Sequence, residues 1–156
     1  MTPKRLFYKV ANPLQKIYWF IFRPKTHGVK VVLRHSEKFL LIRNSYGKKH
    51  WIFPGGGIKR NEKPEAAAMR ETFEEVGVTL PTLKYLGKYH HEKQYKKDTV
   101  YCFFSEVASF EYIIDNDEIE EAEWFFPSDI PLNRSRAVQI MIDLILTDGN
   151  QINLEK

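Results

Sequence analysis

Three glutamates, Glu71, Glu74 and Glu75, stand within five residues of one another, and three consecutive glycines, Gly55 to Gly57, precede them. The stretch from Gly55 to Val78 reads GGGIKRNEKPEAAAMRETFEEVGV. Its later part predicts a helix from about Pro64 to Val76. Proline suits a first helical turn, where its missing N–H is not needed, and Gly77 suits the left-handed position that ends a helix. At roughly 100° per residue the three carboxylates share an arc of about 100°. Met69, Phe73 and Val76 fall nearly opposite and are expected to face the core.

That acidic face has few partners of its own. Glu71 and Glu75 repel each other at i, i+4, which costs a few tenths of a kcal/mol on an exposed helix. Arg70, one turn before Glu74, is the positive charge that the helix itself supplies. A divalent cation would relieve the repulsion, and carboxylates are the hard oxygen ligands that Mg²⁺ prefers. The glycines lend a second capability. A chain free to adopt φ > 0 and to approach other groups closely can turn a carbonyl toward a metal or amides toward a phosphate.

The spacing resembles a known signature. Gly56, five residues, Glu62, seven residues, and then Arg70-Glu71-Thr72-Phe73-Glu74-Glu75-Val76-Gly77-Val78 match the Nudix box, GX5EX7REUXEEXGU, in which U is a bulky apolar residue. Thr72 is the one departure, a smaller and partly polar residue at a U position, expected to affect packing rather than chemistry. Trp51-Ile52-Phe53-Pro54-Gly55-Gly56 looks like the strand and loop leading into the box. Glu118-Ile119, Trp124-Phe125, Pro131 and the last helix look like the later part of a Nudix domain. The resemblance covers about residues 27–148.

The resemblance implies a Mg²⁺-dependent pyrophosphohydrolase, with Mn²⁺ as a substitute metal. Its substrate would be a nucleoside diphosphate linked to another moiety. Carried over residue by residue, Glu74 and Glu75 are the leading metal ligands and the Gly55 carbonyl is a third. Glu71 binds metal or orients water beside Arg70, and Glu62 ties the loop to the helix through Arg70. The family takes its general base from no fixed position. Glu118, six residues before Trp124, is the first choice, both as base and as a further metal ligand, with Glu121 second. Against this stands the composition of residues 115–123, six of nine acidic, which is also what a solvated loop looks like.

Substrate clues are thinner. A proline about fifteen residues past the box, a mark of ADP-ribose enzymes, is replaced by Glu92 and Lys93 there, and the array typical of NADH enzymes is absent. Tyr95 resembles the tyrosine of dinucleoside-polyphosphate hydrolases, although Tyr89, Tyr95 and Tyr101 are also ordinary strand residues. His50, Trp51, Tyr46, Lys48 and Lys49 could meet a base or a phosphate, without any spacing that demands it.

Several elements must position this segment. Val29 to Leu33 and Phe39 to Arg43 predict a β-hairpin turning at Ser36-Glu37-Lys38, and Trp51 to Phe53 a short strand. Lys84 to Gln94 and Thr99 to Val107 read as aromatic-rich strands turning at Lys96-Lys97-Asp98. A last strand, Trp124 to Phe126, and a closing helix from about Arg136 to Thr147 follow. The stripe of that helix is Val138, Met141, Leu144 and Ile145. Residues 1–26 read as a helical arm outside the resemblance, and 27–156 as the hydrolase domain. The fold class expected is α/β: a Nudix-type α/β/α sandwich with a mixed sheet, plus the arm.

Composition fits a single globular domain, with 43% hydrophobic and 28% charged residues. The lone cysteine, Cys102, excludes an internal disulfide, and its apolar surroundings predict a buried structural thiol. The apolar run Ile17 to Phe22 is too short to span a bilayer, which needs about 20 residues. A cytoplasmic protein is therefore expected. The net charge of +4 leans mildly toward polyanions. A small nucleotide is the expected partner. RNA with a 5′ pyrophosphate is open but not favoured, as is a non-catalytic nucleotide-sensing module; a homodimer is also open.

Overall fold

A computed structural model describes residues 25–93 and 96–147. Residues 1–24 of the expected arm and Tyr95 lie outside them, while Lys25 and Thr26, placed in that arm, are the start of a strand paired with Lys97 and Asp98. Among the described residues the elements follow in the order β1 (Lys25–His35), β2 (Lys38–Asn44), β3 (Trp51–Ile52), α1 (Pro64–Val76), β4 (Lys84–Lys93), β5 (Lys96–Glu106), β6 (Ile119–Phe125) and α2 (Arg136–Thr147). A single 3₁₀ turn, Pro127–Asp129, precedes α2.

The strands form one mixed sheet in the order β3-β2-β1-β5-β4, with β6 on β2. β1 runs parallel to β5, while the other pairings are antiparallel. β1 and β2 pair only beside their turn, at Arg34↔Phe39 and His35↔Lys38, and then diverge. β3 fills the opening on the β2 side. The residues just after β3 fill it on the β1 side, where Val31 N–H donates to Pro54 O and Val29 N–H to Gly56 O, each at 2.9 Å. The glycine loop is thereby stitched to the middle of a core strand.

Side chains alternate along the strands and feed two cores, as period-two geometry requires. Val29, Val31, Leu33, Leu40, Ile42 and Phe103 meet Ala67, Ala68 and Val76 of α1. Val32, Phe39, Leu41, Cys102 and Phe104 meet Val138, Met141 and Ile145 of α2. This is the expected α/β/α arrangement, a mixed sheet between two helices.

Three further expectations need correction. Met69 and Phe73 are 46% and 59% exposed. The helix buries Ala67, Ala68, Thr72, Glu75 and Val76 instead, because alanines let it lie close to the sheet and rotate its buried arc toward the glutamates. Lys96, Lys97 and Asp98 belong to β5 rather than to a turn, since each pairs with β4 at Lys93, Glu92 and His91. The last strand begins five residues earlier than predicted, at Ile119, so much of the acidic run is strand. Cys102 is fully buried, and burial pushes its thiol up to about 12, which makes it an inert core residue.

Thr72 carries a cost. Its side chain is fully buried, yet Oγ1 has no hydrogen-bond partner. A buried hydroxyl without a partner costs about 1–3 kcal/mol. Thr72→Val keeps the shape and removes the hydroxyl, so it should raise Tm by about 2–4 °C. Calorimetry checks this, and an unchanged or lower Tm would mean that the hydroxyl is satisfied in solution.

Candidate active site

The glycine loop meets α1 at the middle of the domain. Gly55 has φ 131°, and a Cβ placed on it would stand 2.3 Å from Val29 O. No other residue fits there without displacing β1. In return Gly55 N–H donates to Glu75 Oε2 at 2.7 Å. Gly56 is equally tight on its other side, where a Cβ would lie 2.4 Å from a carboxylate oxygen of Glu71. The two glycines thus let the loop press against two of the three glutamates.

Glu75 is the buried one, 8% exposed. Burial pushes its carboxyl up to about 7. The ammonium of Lys30 and the Gly55 N–H pull it down, and the charges of Glu71 and Glu118 push it up further. Glu71 and Glu118 therefore both act on Glu75 electrostatically even though they arrive from two segments. A buried carboxylate so perturbed beside other carboxylates is a mark of a functional centre.

Lys30 escaped the sequence reading. It stands on β1, and its ammonium donates to Phe53 O at 2.8 Å and to Gly55 O at 2.7 Å. Burial pulls its pKa down, while Glu75 and Glu71 push it up. The available signal was a single charge inside the apolar run Val29-Lys30-Val31-Val32-Leu33.

Arg70 organises the outer half. Its guanidinium holds Glu62 through Nε at 2.8 Å and through NH2 at 2.9 Å. It also donates to Glu71 at 2.6 Å, to Glu74 at 3.0 Å and to Gly57 O at 3.0 Å. Glu62 accepts from Lys59 N–H as well, and the Arg70 hydrogen bonds, first among its influences, hold its carboxyl down at about 2. Glu74 is half exposed, and Lys59 lies 3.9 Å from it. The acidic face is thus better supplied with cations than the helix alone suggests.

Glu118 sits just ahead of β6. Its carbonyl accepts from Ser45 N–H, and its amide donates to Asp115 O. Asp115 N–H in turn donates to Glu75 O, and Ile113 N–H to Val76 O, so this loop closes the end of α1. Glu121, the second choice for the base, is paired with Arg43, and Glu120 with Lys49. Trp51 is core, packed edge-on against Phe125 at 5.0 Å. Lys48, His50, Tyr89, His90, Ser135 and Arg136 line a separate cavity of about 320 Å³ at the start of α2.

The donor set suits a hard divalent cation. Glu71, Glu74, Glu75 and Glu118 offer only oxygens, and Glu75 lies within the charge field of Glu71 and Glu118. Among the described residues, however, no three His, Cys, Asp or Glu side chains converge into a ready-made cluster. Arg70 holds Glu71 and Glu74 instead.

The NUDIX domain family model matches residues 24–145. An RNA pyrophosphohydrolase from Aliivibrio fischeri (strain MJ11) is 40% identical over 75 residues, 48% of this chain and 42% of that protein. The chain thus aligns with less than half the length of that relative. A putative 8-oxo-dGTP diphosphatase from Bacillus subtilis (strain 168) is 30% identical over 112 residues, covering 69% of this chain and 73% of that protein. Among solved structures, a MutT NUDIX hydrolase from Burkholderia pseudomallei superposes with a TM-score of 0.73 at 23% identity, over 78% of this chain and 98% of that one. A C. elegans Ap4A hydrolase gives 0.65 at 20% identity, over 80% and 96%. At such identities the superpositions speak for the fold alone. The box from Gly56 to Val78, the α/β/α sandwich around it and the match over residues 24–145 agree: the chain belongs to the Nudix hydrolase family.

Proposed function

We propose that the chain is a Mg²⁺-dependent pyrophosphohydrolase acting on a nucleoside diphosphate linked to another moiety, with Mn²⁺ able to replace Mg²⁺. One observation carries the reading: Glu75 is buried against the Gly55 amide, within the charge field of Glu71 and Glu118. Glu74, Glu75, Glu71 and the Gly55 carbonyl would hold the metal, with Glu118 completing the set. Bound there, Mg²⁺ neutralises diphosphate charge and lowers the pKa of a water. Glu118 takes the proton of the attacking water. A new P–O bond forms on one phosphorus as the bridging P–O bond breaks, and the displaced phosphate leaves with that bridging oxygen. Arg70 keeps Glu71 in place, and Glu62 keeps Arg70 in place. General base catalysis of this kind contributes roughly 10²–10⁴-fold.

A second substrate class, RNA carrying a 5′ pyrophosphate, is favoured by the 40% identity to an RNA pyrophosphohydrolase. No helix among the described residues is long and apolar enough to cross a membrane. A cytoplasmic setting and an arm ahead of the hydrolase domain belong to the same proposal.

The test is product release across nucleoside triphosphates, ADP-ribose, NADH, dinucleoside polyphosphates, coenzyme A and 5′-triphosphate RNA, each with Mg²⁺, with Mn²⁺ and with EDTA. Turnover of one class that requires metal is expected. If nothing turns over while a nucleotide still raises Tm, the chain is a nucleotide-sensing module instead.

A further inference from the structure

The carbonyls around the glycine loop divide between two partners. Pro54 O and Gly56 O face β1 and accept from Val31 and Val29 N–H. Phe53 O and Gly55 O alternate with them, beyond reach of those amides, and it is the Lys30 side chain that reaches them, at 2.8 and 2.7 Å. Gly55 O is also the backbone oxygen that the proposed function assigns to the metal. A cation already covers it, in the field of Glu75 and Glu71, and this cation is part of the chain.

We infer that Lys30 is the resident cation of the catalytic centre: its ammonium fixes the Phe53 and Gly55 carbonyls and so competes for Gly55 O with a divalent ion that binds there. Lys30 is a positioning residue. It presents Gly55, and through the Gly55 N–H it presents Glu75. It also moderates how tightly the centre takes up divalent ions, since like charges a few ångströms apart repel strongly where water is scarce. The consequence sets it apart from a purely structural lysine. Loosening a binding loop weakens metal affinity, whereas removing a competing positive charge strengthens it.

The inference rests on the metal-dependent reading, and one experiment separates the two. Mn²⁺ is titrated into the full chain, observed by electron paramagnetic resonance at pH 8, for wild type, Lys30→Gln and Lys30→Met. Both variants should bind Mn²⁺ tighter by about tenfold or more. In steady-state assays both should lose kcat by roughly tenfold or more with KM little changed, because a misplaced glycine loop harms the transition state rather than binding. Equal or weaker Mn²⁺ binding in variants that melt cooperatively would overturn the role of Lys30. Absence of Mn²⁺ binding in all three proteins would instead sink the metal-dependent reading itself. If neither variant folds, the wild type labelled with ¹³C-lysine answers the question. One enclosed lysine Cε signal should shift on Mg²⁺ addition, and a spectrum without any such shift would overturn the inference.

Discussion

Glu75→Gln should lower kcat by roughly 10³-fold while KM changes little, the signature of a group that acts in the transition state. The amide keeps the size of the side chain and can still accept from Gly55 N–H, so the loop should stay in place. What disappears is the negative charge. Retention of more than about a tenth of the wild-type kcat would remove Glu75 from the chemistry.

The same substitution carries a pH signature in EDTA. An ordinary glutamate loses its proton near 4.5, whereas burial holds the proton on Glu75 up to about 7. Between these values the folded state binds more protons than the unfolded one, so this group's contribution to stability falls as pH rises through the window. The contribution is fully present below 4.5 and gone above about 7, a swing on the order of 3 kcal/mol. Wild-type Tm should therefore decline relative to the variant between pH 5 and 8, as followed by circular dichroism. Parallel Tm profiles would show that Glu75 titrates normally.

Gly55→Ala is expected to be nearly as severe, for a different reason. The new methyl would lie 2.3 Å from Val29 O, 2.9 Å from Val29 C and 3.0 Å from Lys30 Cα. All three are backbone atoms of a central strand and cannot rotate away, and φ 131° disfavours alanine in any case. A loss of about 4 kcal/mol follows, with Tm falling by roughly 10 °C. Gly57→Ala is the control, because a Cβ there meets nothing within 4 Å. If the two variants melt together, the glycine loop is softer than its hydrogen bonds to β1 imply.

How far the sequence could be read follows from the range of each signal. The ends of α1 were legible because proline and glycine act locally, and both fell where expected, at Pro64 and Gly77. The strand pattern and the box were legible for the same reason. The buried arc of α1 was not. A helical wheel treats Met69 and Phe73 as natural core, but only packing reveals that Ala67 and Ala68 bring the helix close enough to bury Thr72 and Glu75. Lys30 was missed because its partners lie 23 and 25 residues away and are carbonyls, which have no residue signature. In the acidic run, the pairing of Glu121 with Arg43 and of Glu120 with Lys49 depends on where β2 and the loop after it run, which no local pattern states.

The bonds from Ile113 and Asp115 to the last turn of α1 couple two motions that sequence distance would keep apart. They satisfy the carbonyls of Val76 and Glu75, so the segment leading to Glu118 cannot swing outward without fraying the helix that carries the other glutamates. Opening that segment therefore carries the added cost of exposing two carbonyls at the end of α1.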